Sequence, residues 1–256
     1  LSAGAYTGDL TVTGGTGANT ITVGNGTNTI TGGGGADVLT GGTGSDTFNF
    51  ASSVNLGAAT TIAGGAGNDT IQMTAAATLT DANFLNATSI ETLRLTGAST
   101  ITLGANAANA GLVNVTTGNG ATSITDSNGV TLNVDTTALA NNTVLTLTGS
   151  AAEVVSGLIG NITASALTGA LSVTTGDATD NTIAITTGSA ATSITDTFNT
   201  DTVTVTATAL AQNTTLTLVG SAAGIVSGLV GNITASSLTG ALTVTTGDAA
   251  DNGITI

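Results

Sequence analysis

The sequence predicts an all-β fold, a right-handed parallel β-solenoid that runs from a Gly-rich segment into a Thr-rich β-helix. Its apolar residues are mainly Ile, Val, Leu and Ala mixed with Thr, a composition that favours strands over helices. Segments such as 144–148 and 202–206 alternate apolar residues with Thr, which is the period of a half-buried strand. The sequence also repeats itself at two scales, and such repeats indicate stacked units that share one core.

The composition excludes several classes of function. The chain has 256 residues, no Cys, His or Pro, and a single basic residue against 15 acidic ones, for a net charge of −14. Disulfides, thiol chemistry and His-ligated metals are therefore absent, and no basic surface is available to bind nucleic acid. A hydrophobic fraction of 40% with only 6% charged residues predicts a folded chain. No apolar run is long enough for a membrane helix, so we expect no membrane insertion.

The shorter repeat is a nonapeptide of the form G-G-x-G-x-D-x-U-x, where U is a large apolar residue. Residues 32–40 and 41–49 fit it in tandem, and residues 64–72 fit it again after a 14-residue interruption over 50–63. Residues 14–22 and 23–31 keep the same frame, with Asn in place of Asp. The repeated glycines permit tight turns, and the apolar residue points inward from a short strand.

The nonapeptides predict a calcium site, because carboxylate and carbonyl oxygens are the ligands that Ca²⁺ prefers. Two nonapeptides make one coil, a full circuit of the solenoid, of about 18 residues. Asn19 should then stack on Asp37 and Asn28 on Asp46, with Asp69 near Asp46, and Asn should weaken the sites it shares. The candidate metal-site residues are Asn19, Asn28, Gly32, Gly33, Gly35, Asp37, Gly41, Gly42, Gly44, Asp46, Gly64, Gly65, Gly67 and Asp69.

The longer repeat is a duplication in which residues 138–185 return as 209–256, an offset of 71 residues. The similarity continues upstream with a one-residue shift, which predicts a loop near residues 128–130. We predict three segments: a calcium-binding roll over 1–72, a connecting solenoid over 73–115, and a Thr-rich solenoid over 116–256. Coils of about 18 to 24 residues would give about 11 to 14 coils in all.

Two local features qualify the all-β prediction. Asp81 before residues 82–85 predicts one short helical turn with Asp81 as its cap, followed by a strand over 91–95. Residues 150–153 resemble a capping box, but Gly224 stands in the second copy where the first has Glu153, which argues against a helix there. Arg94, the only basic residue, should project outward or pair with Glu91.

Residues 14–49 and 64–72 resemble the RTX, or hemolysin-type, calcium-binding repeats of proteins exported by Gram-negative bacteria. The Thr-rich remainder is similar to the solenoid regions of bacterial S-layer proteins and giant RTX adhesins. The resemblance implies a parallel β-roll, type I secretion in an unfolded state, and folding outside the cell where calcium is millimolar. It therefore implies an extracellular or cell-surface location.

These observations favour a calcium-stabilised structural surface protein that assembles with copies of itself as an S-layer, filament or matrix component. The alternatives are an adhesin stalk, an ice-binding module, or a β-helix enzyme acting on polysaccharide. The enzyme would use paired carboxylates such as Asp177 with Asp180, or Asp248 with Asp251. However, the chain has no His or Lys and only 2% aromatic residues to stack on sugars. We therefore predict that the protein is not an enzyme.

The expected partners are copies of the same chain, with a cell-surface glycan as an alternative. Because Ile256 ends the sequence inside a strand-like pattern, we expect a piece of a longer chain whose end coils are covered by neighbours. Lateral faces with so few basic residues would need bridging Ca²⁺ ions or rows of hydrogen-bonded Thr. Candidate bridging residues outside the nonapeptides are Asp126, Asp135, Asp196 and Asp201.

Overall fold

The computed structural model describes residues 1–180 and 182–247 and shows a parallel β-solenoid of about 11 coils with about 7% helix. The predicted fold class is confirmed. Clustering of contacts divides the chain into two units, Leu1–Gly118 and Asn119–Ile256. The three predicted segments, 1–72, 73–115 and 116–256, stay a prediction.

The first unit contains twelve short strands, two α-helices and one 3-10 helix. The strands are β1 (Thr11–Thr13), β2 (Thr20–Thr22), β3 (Thr29–Thr31), β4 (Val38–Thr43), β5 (Thr47–Phe50), β6 (Thr61–Ala66), β7 (Thr70–Met73), β8 (Thr78–Leu79), β9 (Ala87–Thr88), β10 (Thr92–Leu95), β11 (Ser99–Leu103) and β12 (Asn114–Thr116). The helices are α1 (Ser53–Ala58), the 3-10 helix (Asp81–Phe84) and α2 (Ala105–Ala110).

Parallel pairing stacks these strands into ladders. One ladder runs β1-β3-β5-β7-β10-β12, a second runs β2-β4-β6-β9, and β8 pairs with β11. Thr11 pairs with Thr29 and Thr29 with Thr47, so a coil is 18 residues long in the nonapeptide region, as predicted. Thr47 then pairs with Thr70 across a coil of 23 residues, because the interruption folds outward as α1. The interruption lengthens one coil and leaves the ladder in register.

The core of the first unit is a column of apolar side chains at the U position of successive coils. Ile30, Phe48, Ile71, Leu93 and Val115 pair in that order, and each is at most 1% exposed. Burying a side chain of this size contributes about 1.5 to 3 kcal/mol. Each coil depends on its neighbours for this burial, so the column holds the coils together.

The predicted helical turn is present as the 3-10 helix, but its cap differs from the expectation. Thr80 is the residue before the helix, and its backbone N–H donates to Asn83 Oδ1 at 2.8 Å. Asp81 instead accepts N–H bonds from Gly104, Asn106 and Ala107 at 2.8, 3.1 and 2.9 Å. Its carboxylate therefore caps α2, whose own preceding residue is glycine and offers no side chain.

The described residues of the second unit form thirteen strands in two sheets, and each coil contributes one strand to each sheet. The first sheet contains β13 (Thr122–Asp126), β15 (Val144–Gly149), β17 (Asn161–Leu167), β19 (Thr182–Thr186), β21 (Thr202–Thr206), β23 (Ala223–Leu229) and β25 (Leu242–Thr246). The second contains β14 (Leu132–Asp135), β16 (Glu153–Leu158), β18 (Leu171–Thr175), β20 (Thr192–Asp196), β22 (Thr215–Gly220) and β24 (Asn232–Leu238). The predicted loop near residues 128–130 joins β13 to β14, and Glu153 begins a strand.

The two copies of the duplication are offset by three and a half coils. Each strand of the second copy therefore lies in the opposite sheet from its counterpart in the first copy. Seven strands, β13 to β19, precede β20, which is the counterpart of β13. β16 lies in the second sheet, whereas its counterpart β23 lies in the first. Equivalent residues such as Val154 and Ile225 therefore project outward from different sheets of this unit, where they are 38% and 44% exposed.

Candidate calcium sites in the nonapeptide turns

A column of polar side chains, which we call the carboxylate ladder, joins the nonapeptide turns of successive coils. It consists of Asn28, Asp46, Asp69 and Glu91. The backbone N–H of Asn28 donates to Asp46 Oδ1 at 2.8 Å, and that of Asp46 donates to Asp69 Oδ1 at 2.7 Å. The N–H of Asp69 donates to Glu91 Oε2 at 2.7 Å. The predicted proximity of Asn28, Asp46 and Asp69 is therefore present.

The other column of turns begins in the same way. The backbone N–H of Asn19 donates to Asp37 Oδ1 at 2.8 Å, so the predicted layer of Asn19 and Asp37 is also present. The carbonyl of Asp37 accepts the N–H groups of Thr60 and Thr61 in the following coil. Because that coil contributes Thr rather than Asp at this point, the second column contains one carboxylate only.

The ladder was predicted without its last member. Glu91 lies outside the nonapeptides, and the sequence interpretation considered it only as a partner of Arg94. The structure instead directs Glu91 at the backbone of Asp69, while exposed Arg94 donates to Gln72 at 3.4 Å. The 22-residue spacing from Asp69 to Glu91, close to one coil, is the signal that could have identified it.

The aspartates of the nonapeptide turns, two of which belong to the ladder, are buried without a compensating positive charge. Asp37, Asp46 and Asp69 are each at most 1% exposed. Asp46 Oδ2 and Asp69 Oδ2 have no hydrogen-bond partner among the described residues. Burial raises the pKa of Asp46, and burial together with the charges of Asp46 and Glu91 raises the pKa of Asp69 to about 6. Each free oxygen is therefore a position where a cation would be stabilised.

The two asparagine turns show which atoms surround the position that the free carboxylate oxygen occupies in the aspartate turns. Asn28 Nδ2 donates to the carbonyls of Gly24 and Gly26 at 3.4 and 3.1 Å, and to Asp46 Oδ1 at 2.7 Å. Asn19 Nδ2 likewise donates to the carbonyls of Gly15, Gly17 and Gly32 and to Asp37 Oδ1. The amide nitrogen thus lies among oxygen acceptors, and its hydrogen atoms satisfy them. Asn19 and Asn28 thus donate through Nδ2 in this structure, and their contribution to weakened metal sites stays a prediction.

The aspartate turns place an oxygen where the asparagine turns place that nitrogen. A Cβ atom at Gly14 would lie 3.1 Å from Asn19 Nδ2 and 2.5 Å from the Gly32 carbonyl oxygen. A Cβ atom at Gly41 would clash with Asp46 Oδ2 and lie 2.5 Å from the Gly64 carbonyl oxygen. The two turns therefore share one arrangement, but the second contains only acceptors. Oxygen atoms converge in this way when a cation lies between them.

The glycines of the motif have two separate roles. At the first position, Gly32, Gly41 and Gly64 leave room for the carboxylate of their own repeat, since a Cβ would clash with Oδ2 of Asp37, Asp46 or Asp69. At the second and fourth positions the backbone adopts positive φ angles between 94° and 136°, which favour glycine. Those positions are Gly33, Gly35, Gly42, Gly44, Gly65 and Gly67.

The donor set fits Ca²⁺. Aspartate and carbonyl oxygens of one turn, together with oxygens of the next coil, would supply the six to eight hard ligands that this ion takes. Within residues 1–180 and 182–247, no group of three or more Asp, Glu, His or Cys side chains converges on a metal position. Backbone carbonyls must therefore contribute most ligands. The assignment of individual ligands to Asp37, Asp46, Asp69 and the motif glycines stays a prediction.

The other aspartates are not where the sequence interpretation expected them. Asp126, Asp196 and Asp201 are at most 2% exposed, so their assignment to ions bridging the outer faces is wrong. Asp126 and Asp196 are the last residues of β13 and β20 and occupy buried positions in their alternating patterns, while Asp201 directly precedes β21. Asp135 is only partly exposed and accepts the backbone N–H of Thr137 at 3.0 Å.

Of the two proposed acid and base pairs, the structure describes only Asp177 with Asp180. Asp177 and Asp180 are exposed, and hydrogen bonds from Asn141 and Asn142 lower the pKa of Asp180. A general acid for glycoside cleavage needs a raised pKa. The second pair, Asp248 and Asp251, lies outside the described residues.

A parallel β-solenoid whose glycine-rich turns direct carboxylate and carbonyl oxygens at one another defines the class of calcium-binding β-rolls. More particularly, residues 13–48 and 57–72 match the family model of the RTX calcium-binding nonapeptide repeat, in four copies. These segments are RTX repeats, and Ca²⁺ is the cofactor such repeats bind. In comparisons with curated proteins and with solved structures, nothing matches this chain.

Two general statements about function follow from this class. RTX repeats on a β-solenoid characterise calcium-binding structural proteins, and they are typical of secreted proteins. In the part of the chain that the structure describes, no helix has the length and hydrophobicity needed to cross a membrane.

Proposed function

We propose that this protein is a calcium-stabilised structural component of a bacterial cell surface, which assembles with copies of itself into a lattice, filament or matrix. The observation that carries the proposal is the carboxylate ladder. Its buried, uncompensated oxygens stack from coil to coil, so an ion bound there would fasten neighbouring coils together. Bound calcium would therefore make the solenoid more rigid, and a surface array needs rigid subunits.

Type I secretion to the cell surface is part of the proposal. A chain with a net charge of −14, no Cys and one basic residue repels itself until cations neutralise its carboxylates. Such a chain would stay extended where calcium is scarce and fold where calcium is abundant. Export in an unfolded state followed by folding outside the cell is consistent with this behaviour.

Self-assembly is supported by apolar residues on otherwise polar faces. In the first unit, Val54 of α1 and Leu85 beside the 3-10 helix are 75% and 67% exposed. Their elements are adjacent, since Asn83 Nδ2 donates to the Ser53 carbonyl at 3.0 Å. In the second unit, the duplication presents Val154 and Ile225 on different sheets. Contacts through such residues need no basic side chains, of which the chain has one.

Electron microscopy of the purified protein in millimolar calcium and in EGTA tests the proposal. We expect ordered assemblies in calcium that disperse on chelation. The double variants Val54→Ser with Leu85→Ser, and Val154→Ser with Ile225→Ser, should weaken assembly while calcium binding is unchanged. A monomer in analytical ultracentrifugation at high protein and calcium concentrations would rule out self-assembly, and calcium binding would then be judged separately by titration.

A further inference from the structure

The second unit contains two buried acidic side chains that face its interior from different sheets, Asp126 on β13 and Glu153 on β16. We call them the buried acid pair. Asp126 and Glu153 are 0% and 1% exposed, and both occupy inward positions in the alternating pattern of their strands. Neither belongs to a nonapeptide. Residues 119–256 contain no Lys, Arg or His, so no side chain of this unit can supply a positive charge.

The backbone brings the two acids to the same part of the unit, because the carbonyl of Asp126 accepts the N–H of Ala151, two residues before Glu153, at 3.2 Å. The two side chains are not hydrogen-bonded to each other. Burial, followed by the charge of Asp126, raises the pKa of Glu153 to about 9. Asp126 Oδ1 accepts the backbone N–H of Asn128 at 2.9 Å, which leaves Oδ2 free. Asp126 Oδ2 and both carboxyl oxygens of Glu153 have no hydrogen-bond partner within the described ranges. Three oxygen atoms are thus buried without a donor.

A proton on Glu153 would remove one charge but would not satisfy all three oxygens. Its O–H group could donate to Asp126 Oδ2, but the other carboxyl oxygen of Glu153 would still lack a donor, and one negative charge would stay buried. An ion that accepts oxygen ligands from both side chains removes the charge and satisfies the oxygens together. A divalent cation matches the combined charge of two carboxylates.

The second copy of the duplication retains two buried acids, although one of them changes place. Asp196 corresponds to Asp126 and repeats its contacts, since Oδ1 accepts the N–H of Phe198 at 2.8 Å and Oδ2 has no partner in the described structure. Gly224 replaces Glu153, and a small cavity lies beside it. Asp201 replaces Val130, is 1% exposed, and experiences the charge of Asp196. A purely accidental buried acid would not be replaced by another one.

We propose that Asp126 and Glu153 bind a divalent cation, Ca²⁺ in calcium-rich surroundings, at a site in the second unit that is independent of the nonapeptide repeats. The ion would join the two sheets of one coil, whereas the ions of the nonapeptide turns join successive coils. Oxygen ligation by two carboxylates, completed by carbonyls or water, selects a hard divalent cation.

Hydrogen exchange of the full chain, followed at 122–126 and 153–158 with calcium or with EGTA, tests the proposal. Calcium should slow exchange of both segments about tenfold or more in the wild type, because the ion must leave before the sheets can separate. Glu153→Gln should abolish this response. Asp177→Asn, which removes an exposed acid of the same unit, should keep it. If Glu153→Gln does not fold, Glu153→Gly is tested in its place, because the second copy has glycine at the equivalent position, Gly224.

A background variant separates this site from the nonapeptides. In Asp37→Asn with Asp46→Asn and Asp69→Asn, the calcium response should disappear at residues 29–50 but persist at 122–126 and 153–158. Equal exchange with calcium and EGTA in the wild type would overturn the proposal, as would a response that Glu153→Gln retains. A third result would also overturn the proposal. In it, protection from exchange would not depend on calcium but would change between about pH 6 and 9, and only when Glu153 is present. The buried acid pair would then bind a proton and not a cation.

Discussion

At the residue scale, Asp46 and Asn28 show how one atom decides whether a turn needs an ion. Both side chains accept the backbone N–H of the preceding coil through Oδ1. The other terminal atom differs. In Asn28 it is Nδ2, which donates to backbone carbonyls, whereas in Asp46 it is Oδ2, an acceptor without a hydrogen-bond partner in the described structure. The asparagine turns therefore satisfy their own acceptors, whereas the aspartate turns keep an oxygen that a bound cation would satisfy.

We accordingly predict that Asp46→Asn has opposite effects with and without calcium. The variant should bind one calcium ion fewer, as measured by equilibrium dialysis. In EGTA its free energy of unfolding should rise by about 1 kcal/mol, because an unsatisfied buried acceptor is replaced by a donor. Asp177→Asn, with the same change of net charge on an exposed residue, should show neither effect. A loss of stability in EGTA would contradict this interpretation.

Asp81 is a residue whose contribution depends on pH. Although its partial burial acts in the opposite direction, three backbone N–H donors at the N-terminus of α2 lower the pKa of Asp81 below the ordinary value of an aspartate. A carboxyl group with a lowered pKa in the folded state stabilises the fold at pH values above its unfolded pKa. That contribution is lost as the pH falls through the lower, folded pKa.

We therefore expect Asp81→Ala to reduce the free energy of unfolding by about 1 kcal/mol near neutral pH, the usual effect of removing a helix cap. The difference from the wild type should shrink towards zero as the pH is lowered below about 4. Urea denaturation in EGTA across this range measures it, with Asp177→Asn as the control. A difference that stays constant down to about pH 2 would show that packing, not the carboxylate, is responsible.

At the element scale, the stacking of the turns depends on glycines that lie directly against the coil beside them. Gly44 has a φ of 108°, and a Cβ atom there would clash with the carbonyl oxygen of Gly26 and lie 2.8 Å from its carbon. Gly17 occupies the same motif position in an earlier nonapeptide, but a Cβ atom there would meet no heavy atom within 4 Å. The chain thus contains its own matched control.

Gly44→Ala should lower the free energy of unfolding by about 2 kcal/mol or more, since it combines a strained backbone with a clash against a neighbouring coil. Gly17→Ala should change it by less than about 0.5 kcal/mol. Thermal unfolding in saturating calcium compares the two variants directly. Equal effects would mean that the turns are not packed against one another as the structure shows.

At the scale of the whole molecule, charge couples calcium binding to folding. The net charge of −14 is opposed by one Arg, and the ladder concentrates part of that charge inside the first unit. Cations that bind only the folded chain stabilise it by about 1.4 kcal/mol per site when calcium is at ten times the dissociation constant. Several such sites together are comparable with the stability of a typical domain.

We expect circular dichroism to show a partial loss of β-structure in EGTA and its recovery on addition of millimolar calcium. Sodium chloride at the same ionic strength should restore less β-structure, because it screens the repulsion between carboxylates without occupying the calcium sites. Asp37→Ala with Asp46→Ala should shift the calcium midpoint to higher concentration. A spectrum unchanged by EGTA would reject the coupling.

The sequence alone determined those features that depend on short-range periodicity. The nine-residue frame specified both the 18-residue coil and the neighbours Asn19 with Asp37 and Asn28 with Asp46, because strand and turn residues recur at fixed intervals. The same frame indicated Ca²⁺, since it repeats oxygen donors and contains no softer ligand. The loop near residues 128–130 followed from the shift between the two copies of the duplication.

The tertiary structure decided what depends on which coil lies beside which. Helices α1 and α2 are too short to give a clear helical period, and α2 is capped by Asp81 from another coil rather than by its own sequence. Sequence reasoning placed Asp126, Asp196 and Asp201 on the surface, because acidic residues usually lie there. Asp126 and Asp196 are buried since their positions in the strands point inward, and Asp201 is buried directly before β21. Only the paired sheets reveal these directions. The half-coil offset of the duplication likewise follows from an odd number of strands, which periodicity within a single strand does not encode.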